Sequence, residues 1–165
     1  MGKVKAVAAE YGSLTKTIRL RSIKPVFTEM VIREDAPAYL ETTRYTSSQQ
    51  IFELFTDLQY ESKEHFMALH LDGKNRINCI EVVSVGSLNQ TIVHPRELFK
   101  SALISSAAAL ILIHNHPSGD TTPSREDIVI TKRLKEAGEL LGIKILDHLI
   151  IGDGKFHSFA DWGQL

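Results

Sequence analysis

The run Ala107–His114, AAALILIH, is apolar at every position but its last. A strand with one face in water would alternate polar and apolar residues, so this one reads as a strand covered on both faces. Its length is far below the roughly 20 apolar residues of a membrane span, and no other stretch of the chain approaches that length. A central strand of this kind needs helices above and below it.

The flanking segments supply them. Residues 47–60, SSQQIFELFTDLQY, place Ile51, Leu54, Phe55 and Leu58 at helical spacing, with Ser47 or Ser48 as the cap. Residues 65–72 and 76–85 read as two strands of a hairpin, joined by the turn chemistry of Asp72-Gly73-Lys74-Asn75. Pro95 suits the first position of a helix continuing through ELFKSALISS. A loop, NHPSGDTTP, comes after the apolar run; a long helix then starts at Ser124 and stops at Gly142. Residues 143–151 form another buried strand, and 155–159 a short one after Gly152-Asp153-Gly154. Helices alternating with strands predict an α/β fold with a mixed β-sheet sandwiched by helices.

The expected organisation is an N-terminal extension, 1–45, followed by a core domain, 46–165. In the extension, TKTIRLRSIK alternates apolar and basic residues like an edge strand, and Pro25 and Pro37 break up the remainder. Lys3, Lys5, Lys16, Arg19, Arg21 and Lys24 stand against Glu10 alone in residues 1–25, although the whole chain balances 19 Lys+Arg with 20 Asp+Glu. Such a basic arm can touch nucleic-acid phosphate, and it also suits a plain solvated segment. Cys79 is the one cysteine, which excludes a disulfide scaffold, zinc fingers and iron–sulfur centres. No secretory apolar segment is legible near Met1. The expectation is a soluble, cytoplasmic protein with no membrane contact.

The chemistry concentrates where the apolar run ends. His114 and His116 are two residues apart, so in an extended chain both side chains point one way while Asn115 points the other. Asp127 lies in the first turn of the next helix, which can fold back over the loop. Two imidazoles and one carboxylate would leave a fourth position on Zn2+ open to water, as in catalytic rather than structural zinc sites. Such a metal acidifies water and polarises a carbonyl. A base must then take the water proton. Glu64 and Glu81 both qualify, and periodicity does not choose between them. The Ser124 hydroxyl could serve an oxyanion. Equally, Ser124-Arg125-Glu126-Asp127 is a helix capping box, and one hydroxyl has one proton to give. His148, in LLDHLII, is a candidate support beside the metal, and the buried pair Asp147-His148 would need partners. The literal string His114-Asn115-His116 does not make an HNH nuclease, whose residues are spread along a ββα unit. The missing cysteine pair excludes a zinc deaminase.

Glu64, then His114-x-His116, seven residues, Ser124, two residues and Asp127 together resemble the JAMM (MPN-plus, JAB) metalloprotease motif, E…H-x-H-x7-S-x2-D. The strings HNHPSGD, PS-x-x-D and LDHLIIG, with EHFMALHLDGKNRI and VSVGSLNQTIVHPRELFKSAL, are similar to the RadC subfamily over residues 46–165. The resemblance implies a cytidine-deaminase-like fold with one zinc on His114, His116 and Asp127. It also implies Glu64 as general base, Ser124 as oxyanion support, and a peptide or protein substrate cut at an amide or isopeptide bond. Full-length RadC proteins usually carry a helix-hairpin-helix region ahead of this domain; residues 1–45 show no such pattern, and the chain is similar to the short RadC-like form. The alternative expectation is a nucleic-acid-binding module, tied to DNA repair or mobile elements through residues 1–25, with little or no peptidase activity.

Overall fold

The computed structural model describes residues 20–22, 24, 26–32, 44–86 and 93–165. Among these residues, five strands form one mixed sheet: β1 (Glu64–Leu71), β2 (Ile77–Gly86), β3 (Ala109–Asn115), β4 (Lys144–Ile151) and β5 (Phe156–Ser158). Their order across the sheet is β2-β1-β3-β4-β5. β1 is antiparallel to both β2 and β3, β3 is parallel to β4, and β4 is antiparallel to β5. The parallel step needs a crossover, and α3 (Arg125–Leu141) provides it. The other α-helices among the described residues are α1 (Ser48–Leu54) and α2 (Pro95–Ile104). The expected fold class is thus observed.

Every residue of β3 is buried. Alternation sorts them between two cores. Ala109, Ile111 and Ile113 pack with Ile51 and Phe55 from the α1 side, while Leu110 and Leu112 pack with Leu98, Phe99, Ala102 and Leu134 from α2 and α3. His114 continues the even-numbered series and so faces α3.

Helix boundaries match the local signals closely. Ser47 caps α1 by accepting from the Gln50 N–H at 3.2 Å, Pro95 opens α2, and Gly142 ends α3 at φ +71°. The expected single helix over 47–60 is instead α1 followed by a tighter 3-10 turn, Thr56–Tyr60. A tertiary contact accompanies the change: within that turn, the Gln59 side chain accepts from the Gly154 N–H at 2.8 Å. Most of the expected edge strand at 15–24, and most of the basic arm, lies outside the described residues. The portion that is described, 20–22 and 24, carries no regular structure. Among the described residues, no helix is long and apolar enough to cross a membrane.

Far from His114 along β1, His70 is 1% exposed. Its Nδ1 lies 2.7 Å from the Ser105 hydroxyl, its Nε2 has no hydrogen-bond partner, and the Glu81 carboxylate is 3.9 Å away. Burial lowers its pKa from 6.5 to about 4. Between those values the unfolded chain takes up a proton that the folded one refuses, so stability must fall as pH drops through this window. At 1.36 kcal/mol per unit, His70 alone accounts for on the order of 3 kcal/mol. Urea unfolding at stepped pH should show this loss in the wild type and a visibly flatter profile in His70→Gln. Parallel profiles would mean that His70 protonates in the folded state without penalty.

Candidate metal centre

The site is built where β3 leaves the sheet. His114 is buried near the end of the strand, and the ladder to β4 runs one step past it, with the His116 N–H donating to the Ile151 carbonyl at 2.9 Å. His116 is therefore held in extended register, and both imidazoles turn to the α3 side. The loop after it is pinned to the β4–β5 turn: the Asp153 N–H donates to the Gly119 carbonyl at 3.2 Å. This approach requires two glycines. Gly119 sits at φ +79°, and a Cβ on Gly152 would stand 2.3 Å from the Gly119 oxygen.

Asp127 arrives from α3. Ser124 caps the helix, its hydroxyl oxygen accepting from the Asp127 N–H at 3.1 Å. In return Asp127 Oδ2 accepts from the Ser124 N–H at 2.7 Å and from its O–H at 2.6 Å. The capping-box reading of this segment is the one observed, and the completed box also aims the carboxylate at the histidines. The Ser124 proton is directed at Asp127, and serving an oxyanion would require the hydroxyl to release that bond.

His114 Nε2 and His116 Nε2 are 3.0 Å apart; Asp127 Oδ1 is 3.2 Å from the first and Oδ2 3.4 Å from the second. The two histidines face different oxygens of the carboxylate; taking one donor atom from each residue, the three lie within 4.8 Å of one another, close enough to share an ion whose ligand atoms stand roughly 3.3 Å apart in a tetrahedral zinc site. Among the described residues this is the one group of three or more His, Cys, Asp and Glu gathered closely enough to hold a metal. The donor chemistry fits too. His116 Nδ1 lies 2.6 Å from the Asp120 carbonyl, which can only accept, so a neutral His116 keeps its lone pair on Nε2.

The electrostatics are those of a carboxylate between imidazoles. Burial by itself would raise the Asp127 pKa, but the facing imidazoles of His114 and His116, whenever they are protonated, and the Ser124 hydroxyl hold it far below the usual carboxylate range. Burial works against a charged His116, yet Asp127, the Asp120 carbonyl and the charge of Glu64 together raise its pKa.

Glu64 opens β1 and is half-buried. Phe66 pairs with His114, and Glu64, two residues earlier, lies on the same face of the sheet. The residue between the two histidines secures that placement. Asn115, fully buried, accepts from the His65 N–H at 2.8 Å and donates to the Lys63 carbonyl at 3.0 Å, clamping the chain on either side of Glu64. Glu81, the other candidate, sits opposite Ala68, four residues or about 13 Å further along β1. There its carboxylate takes a hydrogen bond from the Ser101 hydroxyl.

Asp147 and His148 find the partners that their burial demands. Asp147 accepts from the His148 N–H at 2.7 Å, the Ser158 hydroxyl at 2.7 Å and the Ala160 N–H at 3.0 Å. His148 lies 2.8 Å from His114 and 2.6 Å from Thr131, and complete burial drives its pKa well below the ordinary histidine value. Sequence reasoning named His148 but missed Asn115 and Thr131. A buried asparagine between two site histidines was a usable signal, since such an amide must be hydrogen-bonded. Thr131 carried none beyond standing one helical turn after Asp127.

The family model described as RadC-like JAB domain matches residues 45–164. Similar chains are each named UPF0758 protein. That of Geotalea uraniireducens is 57% identical over 138 residues, covering 83% of this chain and 60% of the relative. That of Pelobacter propionicus is 59% identical over 123 residues, covering 74% and 54%, and that of Trichlorobacter lovleyi 57% over 145 residues, covering 87% and 63%. The chain therefore spans a little over half the length of these relatives.

Proposed function

Since the chain belongs to the family of RadC-like JAB domains, we propose that it is a metal-dependent hydrolase of JAMM type that cuts amide or isopeptide bonds in a peptide or protein. The observation that supports this reading is the gathering of His114 Nε2, His116 Nε2 and the Asp127 carboxylate, one donor atom from each lying within 4.8 Å of the others. His114, His116 and Asp127 would hold the ion; when bound, it supplies Lewis acidity toward a carbonyl and toward water. Zinc suits a set of two imidazoles and one carboxylate, and other borderline divalent ions compete for the same donors.

The remaining steps fall to the protein. Glu64, on the His114 face of the sheet, accepts a proton from the attacking water and returns it to the leaving amine, so the amide and one water become an acid and an amine. Asn115 keeps the Glu64 backbone from drifting along the sheet. Ser124 holds Asp127 in place and, on releasing that bond, can donate to the oxyanion. A reducing, cytoplasmic setting suits a chain whose one cysteine, Cys79, is free.

A second reading rests on the six cations against one anion in residues 1–25: contact with nucleic acid, in repair or mobile-element biology. One experiment separates the two. The purified protein is offered a panel of peptide and isopeptide substrates and, in parallel, duplex DNA over a salt series. The hydrolase reading expects cleavage that stops on chelation and returns with zinc. No cleavage of any amide, joined to DNA binding that weakens steeply with salt, would put the second reading first.

A further inference from the structure

Resting on the metal-site reading above, we propose that Thr131 and His148 are positioning residues that select the tautomer of His114 and so make its Nε2 a metal donor. The two histidine ligands are oriented in different ways. His116 gives its Nδ1–H to a backbone carbonyl, which leaves no choice of proton placement. His114 Nδ1 meets another imidazole, His148 Nε2, at 2.8 Å. An imidazole can accept or donate at either nitrogen, so this contact alone does not decide which nitrogen of His114 carries the proton.

The decision is made one residue further out. His148 Nδ1 lies 2.6 Å from Thr131 Oγ1, and that hydroxyl also lies 2.6 Å from the Asp127 carbonyl. A carbonyl cannot donate, and a hydroxyl has one proton. With that proton given to Asp127, Thr131 must accept from His148 Nδ1–H. His148 Nε2 is then a lone pair and accepts from His114 Nδ1–H. His114 Nε2 is left with its lone pair, facing His116 and Asp127. Thr131 is 2% exposed and His148 fully buried, so water does not offer these groups an alternative partner. The chain closes on itself: α3 carries both Asp127, a ligand, and Thr131, one turn later, which sets the tautomer of another ligand. His148 is also wedged between rings, with centroids 5.3 Å from Phe66 and 5.0 Å from Phe159, which holds its plane.

The test uses zinc alone, with no substrate. Zinc affinity is measured by competition with a chelator for wild type, Thr131→Val, Thr131→Ser and His148→Phe, the last retaining an aromatic ring between Phe66 and Phe159. Losing an outer partner of a metal-bound histidine weakens binding by about 10–100-fold. That loss is expected in Thr131→Val and His148→Phe, with near wild-type affinity in Thr131→Ser. Long-range 1H–15N correlation spectra of the zinc-loaded wild type should show His148 protonated at Nδ1 and bare at Nε2. This measurement stands even if His148→Phe does not fold. His148 protonated at Nε2, or folded Thr131→Val binding zinc within about twofold of wild type, overturns the proposal while leaving the metal site intact. A wild type that takes up no zinc overturns the site and the proposal together.

Discussion

Glu64→Gln is expected to retain a full complement of metal and to lose about 10²–10⁴-fold in the rate of amide hydrolysis. The substitution keeps the size of the side chain and removes its ability to accept a proton, and a positioned base is worth that factor. Glu64 is not among the three converging ligands, and the Asn115 clamp acts on its backbone neighbours rather than on its carboxylate. Metal content and rate should therefore separate. The readout is kcat on a substrate found in the peptide and isopeptide panel, alongside zinc stoichiometry. Glu81→Gln provides the internal contrast: its carboxylate is engaged with Ser101 and lies beside His70, so hydrolysis should be unchanged. Unchanged turnover in Glu64→Gln with zinc present would remove Glu64 from the chemistry.

The second large effect concerns the metal itself. The untagged wild type should carry about one zinc per chain after exposure to zinc, and His114→Ala/His116→Ala less than roughly a tenth of that, read by elemental mass spectrometry. Two of three donors are then gone, and one half-buried carboxylate cannot hold a borderline ion against water. Asp127→Asn is a useful companion because it keeps much of the helix cap. Asparagine can still accept from the Ser124 N–H, so α3 should remain capped while the anionic ligand is lost. If the double alanine variant held zinc as well as wild type, the ion would be bound elsewhere. The His114, His116 and Asp127 donors would then have no metal role.

How much of the fold and the site is legible in the sequence depends on the distance along the chain over which each feature is decided. The two-faced burial of β3 is decided by eight consecutive residues. The shared direction of His114 and His116 comes from the period of an extended chain. The Ser124–Asp127 box and the Gly142 stop are contacts within four residues. Local sterics and hydrogen bonding settle all of these, so the sequence alone is enough. The single helix expected over 47–60 gives way after Phe55 to a tighter turn, and that turn carries a contact no local rule supplies, the Gly154 N–H donating to the Gln59 side chain.

Periodicity treats Glu64 and Glu81 alike, and the tertiary structure is what places them at different distances from the histidines. Both stand on strands of the same hairpin. What separates them is the register of β1 against β3, in which Phe66 meets His114. That register is set by packing on both faces at once, and a shift of two residues would preserve every local preference while moving Glu64 about 7 Å. The same holds for the line from Asp127 through Thr131 and His148 to His114. Each hydrogen bond in it joins residues that any local rule treats as independent, apart from the single helical turn between Asp127 and Thr131. The sequence by itself determined which side chains could bind a metal, because ligand type and short spacing are written in consecutive residues. Only the folded sheet and the helix laid across it decided which acidic and which supporting side chains lie nearest them, because pairing register and helix placement are properties of the whole core.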